Sequence, residues 1–212
     1  MIVGNKLKLI ERLIVFFIGM TIIQIGVALF LKVNMGSDPF TVFNQGLGFM
    51  LHITTGKANI IILIGLTVII LFTNKRYINV GTVICVFGVG PIIDVALKLF
   101  SNLPVTHYNV IVKMIVLACT SFVIAIGFSI LSAVNLGFAP NDSIYFIISE
   151  KIKHQYRWVR ICTDICYLIV GYLLGGIVGI GTIISAILTG PFVQFCLPYG
   201  KKFVKILIDY EE

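Results

Sequence analysis

Six apolar runs, most of them long enough to cross a bilayer, constrain what this chain can fold into more than any other feature. They cover roughly Leu13–Val33, Ala58–Thr73, Val80–Leu99, Val110–Val134, Val159–Leu174 and Val178–Leu197. A helix of about 20 residues spans a hydrocarbon core of about 30 Å. The second and fifth runs are short for a full crossing and are expected to tilt or to adjoin thin regions. Hydrophobic residues make up 58% of the 212 positions and charged residues 12%, with a mean hydropathy of +1.06. A soluble domain carries about 25% charged residues, and this chain has too little polar surface to cover its apolar side chains in water. The expected fold class is therefore an all-α integral membrane protein with six transmembrane helices. Residues 1–212 form a single membrane domain with no room for a soluble one.

The net charge of +7 is distributed in short clusters beside the apolar runs. With the N-terminus cytoplasmic, the inner segments hold Lys6, Lys8, Arg12, Lys75, Arg76, Lys151, Lys153, Arg157, Arg160, Lys201, Lys202 and Lys205. Only Lys32, Lys57, Lys98 and Lys113 fall outside, each near a helix end where it can snorkel. The positive-inside rule then places both termini in the cytoplasm of a bacterial inner-membrane, multi-pass protein. Tyr77, Tyr108, Tyr156, Trp158 and Tyr199 sit near the boundaries, at headgroup level. No basic face of any length exists, which excludes nucleic acid as a partner. The run after Lys6, Lys8 and Arg12 imitates a signal peptide. It is longer than a usual h-region, and no small-x-small cleavage site follows, so it reads as a retained first helix.

The two halves repeat at an offset of about 100 residues. Val33-Asn34-Met35-Gly36-x-x-Pro39 answers Val134-Asn135-Leu136-Gly137-x-x-Pro140. Gly81-Thr82 and Gly90-Pro91 answer Gly181-Thr182 and Gly190-Pro191. Repeat 1 covers about 10–100 and repeat 2 about 110–203, with three spans each. An odd number of spans predicts two copies of inverted topology. After the first span of each repeat, Pro39–His52 and Pro140–Lys153 read as short amphipathic helices with proline in the first turn. Phe40, Phe43, Leu47 and Met50 share one side of the first, and Thr41, Asn44, Gly48 and His52 the other. Such helices are too short to cross and are either interfacial or re-entrant.

The motifs Met35-Gly36-Ser37-Asp38-Pro39-Phe40-Thr41, Gln45-Gly46-Leu47, Val80-Gly81-Thr82, Gly88-x-Gly90-Pro91-x-x-Asp94 and Leu136-Gly137-Phe138-Ala139-Pro140 carry a resemblance over nearly the whole chain. It resembles the YczE/YyaS/YitT family of bacterial multi-pass membrane proteins. That family often has Trp-Asp after the proline. Here Phe40-Thr41 and Asn141-Asp142 stand there, and only Asp142 keeps the acid. The resemblance implies a membrane protein for which transport is the usual expectation.

The candidate solute-site residues are Asn34, Gly36, Ser37, Pro39, Thr41, Asn135, Gly137, Pro140, Asn141 and Asp142. They flank two helix starts whose free N–H groups and partial positive charge favour an anion or a carbonyl oxygen. Asp94 is a candidate for proton or cation coupling, with a structural hydrogen bond near Gly90-Pro91 as its alternative. Asp164 is placed to pair with Arg160 one turn before it. Cys85, Cys119, Cys162, Cys166 and Cys196 read as buried small hydrophobes. The glycines of 175–181 read as close packing and a tight turn. No metal spacing, cofactor motif or catalytic constellation appears, so neither an enzyme nor a metal or cofactor site is expected.

The leading function is a secondary transporter or facilitator of a small polar solute, by analogy from inverted repeats and broken helices. The alternative is a non-transporting scaffold or accessory subunit of a larger complex, including a substrate-binding transporter subunit. The partners are the lipid bilayer, a small polar solute, and a second copy or complex partner. In a background free of native cysteine, cysteines at Lys75 and Lys202 should resist an impermeant thiol reagent in whole cells, and one at Thr106 should react. Labelling at Lys202 but not at Thr106 would overturn the topology.

Overall fold

The computed structural model describes the backbone of residues 2–208, and the side-chain surroundings of 9–155 and 158–208. The side chains of Lys6, Lys8, Tyr156 and Arg157, counted above toward orientation or boundaries, lie outside the described residues. Eight α-helices follow one another: α1 (Ile2–Val33), α2 (Pro39–Leu51), α3 (Thr55–Thr73), α4 (Val80–Leu99), α5 (Val110–Val134), α6 (Pro140–Ile152), α7 (Tyr156–Leu173) and α8 (Ile180–Ile208). Among the described residues there is no strand.

The helices start where the sequence supplies caps. Asp38, Thr54 and Asn109 accept from the backbone N–H groups of Thr41, Lys57 and Ile111. Pro39 and Pro140 take first-turn positions that need no donor. Gly90-Pro91 and Gly190-Pro191 do not interrupt the runs that contain them: α4 and α8 pass through both. Membrane helices tolerate such prolines where neighbours satisfy the freed backbone groups.

α1 and α5 form an antiparallel pair. The Arg12 guanidinium donates to the carbonyls of Val134 and Asn135, closing the end of α5. Farther along, a Cβ at Gly19 would come within 3.0 Å of the Gly127 carbonyl, so small residues set the spacing. α4 runs parallel to α1, with Gly81 beside Phe16 and Gly88 beside Met20. α8 runs parallel to α5, with Phe192 against Phe122 at 5.4 Å and Gly200 against Ser129. The main core lies between these helices and α3, around Phe16, Met20, Leu63 and Ile93.

Burial is inverted relative to a soluble protein. Gln24, Asn44, Asn59, Thr82, Thr120 and Ser121 are buried, while Phe72, Phe87, Ile115, Ile187 and many other apolar side chains are exposed. The first short helix shows the same inversion. α2 buries Thr41, Asn44 and Gln45 and exposes Phe49, Met50 and Leu51. An anchor floating at an interface would keep its polar side in water; here the polar side faces protein.

Among the described residues, five helices are long and apolar enough to cross a membrane: Leu9–Val33, Thr55–Thr73, Val80–Asn102, Val110–Val134 and Ile180–Ile208. α7, expected as a sixth, is not among them. Its 18 residues include Arg157, Arg160 and Asp164. Cys85 and Cys196 are buried as expected, but Cys119, Cys162 and Cys166 are exposed on the apolar outside.

Candidate functional site

The two Gly-x-x-Pro turns adopt one backbone path. α1 ends at Asn34 with φ 58° and α5 at Asn135 with φ 55°, both left-handed. Gly36 and Gly137 follow with φ 94° and 104°, which a side chain would strain. Asp38 and Ala139 are then extended, and a 13-residue helix begins at each proline. Each helix closes on a left-handed residue, His52 with φ 53° and Lys153 with φ 54°. Every one of these positions keeps the 101-residue offset.

Each turn is held by the other half of the chain. Leu136 O accepts from Gly81 N at 3.0 Å, and Met35 O accepts from Gly181 N at 2.7 Å. Thr82 Oγ1 donates to Phe138 O at 3.0 Å. Gly137 lies against Asn79, and Gly36 against Gly179 and Thr182, leaving no room for a Cβ. The carbonyls left over where α1 and α5 end thus meet N–H groups left over where α8 and α4 begin.

The turns leave opposite ends of the α1–α5 pair. Arg12, bonded to Val134, is separated from Val33 by about 32 Å of helix at 1.5 Å per residue. Yet the short helices that follow start on the same turn of α7. The Phe40 ring meets Tyr167 edge-on at 5.4 Å and Phe43 stacks on it at 5.6 Å. The Tyr145 hydroxyl donates to Asp164 Oδ1 at 2.7 Å. From there α2 runs toward the C-terminal end of α7, with Gly46 against Gly171 and Phe49 near Gly175. α6 runs the other way, to Tyr77, where Phe146 stacks at 6.4 Å and Glu150 accepts from the phenol. The two are set head to head.

Charge collects where they meet. Asp38, Asp142 and Asp164 lie close enough to feel one another's charge, and Arg160 acts on Asp142 and Asp164. Arg160 Nε is 3.7 Å from Asp164 Oδ2, the i, i+4 pair expected, and its guanidinium lies over the Tyr145 ring at 5.5 Å. Asp38 accepts from Thr41 N at 3.1 Å and from Ser37 Oγ at 3.3 Å. The start of α2 is thus capped by the chain's own carboxylate, which removes the anion preference expected there.

Of the expected site residues, Ser37, Pro39, Thr41, Pro140, Asn141 and Asp142 belong to this junction. Asn34 and Asn135 do not; they are exposed caps at opposite ends of the α1–α5 pair. Gly36 and Gly137 shape the turns and face the other half's helix starts. Asn34, Ser37, Gln45 and Ile177 line a crevice with no space for a water molecule. Sequence reasoning passed over Asp38, Tyr145 and Tyr167, and read Asp164 with Arg160 only as a salt bridge. The missed signal was divergence between the halves: at the 101-residue offset Asp164 and Tyr167 stand where α3 has Leu63 and Leu66.

Asp94 sits elsewhere. It accepts from Thr54 Oγ1 at 2.6 Å and from Gly56 N at 3.0 Å, closing the start of α3 rather than backbone freed by Pro91. The glycines of 175–181 are packing positions, with Gly176 against Val42 and Gly179 against Met35.

An all-helical chain with five bilayer-length apolar helices and a buried polar junction is a multi-pass membrane protein. It belongs to the family described as "Family of unknown function (DUF6198)", which matches residues 10–198. It is 30% identical over 198 residues to the uncharacterized membrane protein YczE of Bacillus subtilis, covering 91% of this chain and 88% of that protein. An uncharacterized protein of Haemophilus influenzae is 25% identical, with 86% and 82% covered. The uncharacterized protein YyaS of B. subtilis is also 25% identical, with 85% and 90% covered. No solved structure matches the chain.

The hydrogen bonds of Asp94 to the start of α3 generate a test. Asp94→Ala should lower stability by about 1.5–3 kcal/mol, the usual worth of a hydrogen bond to a charged group, and Asp94→Asn by less. Thermal unfolding of the purified variants checks this. Parent-like stability in Asp94→Ala, with lost solute accumulation in Asp94→Asn, would favour the coupling role instead.

Proposed function

We propose that this protein moves a small polar solute across the bacterial cell membrane, as a secondary transporter or facilitator, through the junction of α2 and α6. In this reading α7 is the sixth crossing, both termini are cytoplasmic, and the halves are inverted repeats. α2 and α6 are re-entrant half-helices whose N-termini meet near the bilayer midplane. The observation that carries it is the docking of Phe40 and Tyr145 on one turn of α7, although their helices come from opposite ends of the α1–α5 pair. Discontinuous helices whose ends face each other at mid-membrane are how many transporters build a solute site.

The charges of α7 fit this placement. An unpaired Asp or Arg at a helix centre costs about 2.5–3.5 kcal/mol on an insertion scale. Asp164 and Arg160 pair with each other and face Tyr145 of α6. Ile161, Ile165, Ile169, Tyr172 and Leu173 point outward, toward lipid in this reading. Irregular backbone such as 34–38 and 135–139 is tolerated at membrane depth only when enclosed by protein, as the reciprocal bonds from Gly81 and Gly181 enclose it.

The test uses proteoliposomes of the purified chain preloaded with three labelled solutes: methylammonium, acetate and glycerol. At least one should leave faster than from protein-free liposomes, and the double variant Thr41→Leu, Ser143→Leu should slow that release toward the protein-free rate. Release of all three at the protein-free rate would contradict the reading and leave the accessory-subunit role.

A further inference from the structure

Resting on the transport reading of this junction, we propose that its solute is a small monovalent organic cation with N–H donors: an ammonium or guanidinium group. Among the described side chains, three carboxylates, Asp38, Asp142 and Asp164, lie close enough there to feel one another's charge, beside the guanidinium of Arg160. The starts of α2 and α6 each add roughly half a positive charge. Among the described groups, about one negative charge is left unbalanced. An anion would meet net repulsion, and a monovalent cation would close the balance.

The walls say which kind of cation. No three His, Cys, Asp or Glu side chains among the described residues are grouped to hold a metal ion. The carboxylates are instead spaced around aromatic rings: Tyr145 bonded to Asp164, and Tyr167 packed on Phe40. Ring faces beside carboxylates suit a delocalised or organic cation. Arg160 already rests on the Tyr145 ring and on Asp164. This wall therefore accepts a guanidinium group, supplied here by the chain itself.

A second observation, independent of the carboxylates, points to a donor. Asn44 and Asn59 are 1% and 2% exposed, and neither side-chain oxygen has a hydrogen-bond partner. Buried acceptors of this kind are normally satisfied. Asn44 lies three residues beyond Thr41 on the same face of α2. The antiparallel packing of α2 and α3, with Gly48 against Thr55, sets it opposite Asn59. At the 101-residue offset these two positions are Tyr145 and Arg160, which touch each other beside Asp164. The α2–α3 side of the junction thus offers two free carbonyl oxygens, and the α6–α7 side offers carboxylates and rings. An ammonium or guanidinium group satisfies both; a quaternary ammonium lacks the donors.

The experiment measures binding by thermal shift on the purified full chain, with methylammonium, methylguanidinium, tetramethylammonium, acetate and glycerol. Methylammonium or methylguanidinium should bind, tetramethylammonium about tenfold or more weakly, and acetate and glycerol not measurably. Asp142→Asn should weaken the bound cation about tenfold or more, and Asp142→Glu should largely retain it. Should Asp142→Asn fail to fold, Asp38→Asn gives the same readout, because asparagine caps a helix as well as aspartate does. Tighter binding of acetate or glycerol than of either N–H cation would overturn the proposal, as would unchanged affinity in the charge-removing variant. A cation that binds but does not cross liposomes leaves this inference standing and removes the transport reading. Glycerol or acetate crossing while both cations neither bind nor cross does the reverse.

Discussion

The structure depends on two backbone hydrogen bonds, Gly81 N to Leu136 O and Gly181 N to Met35 O. A helix that stops strands its last carbonyls, and a helix that starts strands its first N–H groups. In water both are solvated; in an apolar surrounding each costs free energy until it finds a partner. The end of α5 meets the start of α4, and the end of α1 meets the start of α8. The two halves of the chain thereby complete each other. Glycine at 36 and 137 allows the left-handed turn and the close approach together, and Thr82 adds a side-chain bond across the same seam. With the turns fixed, an extended residue, Asp38 or Ala139, and the proline after it determine where α2 and α6 begin.

α3 and α7 are the rods against which the short helices lie, and they differ where it matters. α3 presents Leu63, buried in the main core, where α7 presents Asp164 bonded to Tyr145 and paired with Arg160. One wall is therefore uncharged and the other carries charge. Asp142 continues this divergence, standing where the first half has Thr41. A shared backbone thus carries one half that mainly packs and another that concentrates ionisable groups.

Much of the fold was legible because hydropathy, proline and glycine act locally. The apolar runs marked α3, α4 and α5 to within three residues, and Pro39 and Pro140 marked the starts of the short helices to the residue, while α1 and α8 extend well beyond their runs. The fifth run, Val159–Leu174, likewise marked α7 to within three residues, but the bond from Tyr145 on α6 to Asp164 was out of reach of any periodicity. The amphipathic reading of α2 found its two faces but left open which one is buried, because in lipid the polar face can turn inward. At the site, the turn residues were visible as a motif, yet Asn34 and Asn135 proved to be exposed caps at opposite ends of a helix pair. Tyr145, Arg160 and Tyr167 were not singled out for the site because nothing in their local sequence separates a membrane aromatic or basic residue from its neighbours. Their role comes from long-range packing.

The central claim is that two short helices from opposite ends of the α1–α5 pair begin on one turn of α7. Paired-cysteine cross-linking in native membranes tests it most directly, in a chain whose own five cysteines are replaced. The pairs are Phe40→Cys with Tyr167→Cys and Tyr145→Cys with Asp164→Cys, with Phe122→Cys and Phe192→Cys as a control for the α5–α8 packing. A short bis-thiol reagent should link all three pairs. Linking of the control alone would mean that the short helices lie apart at opposite surfaces, and the shared junction would not exist.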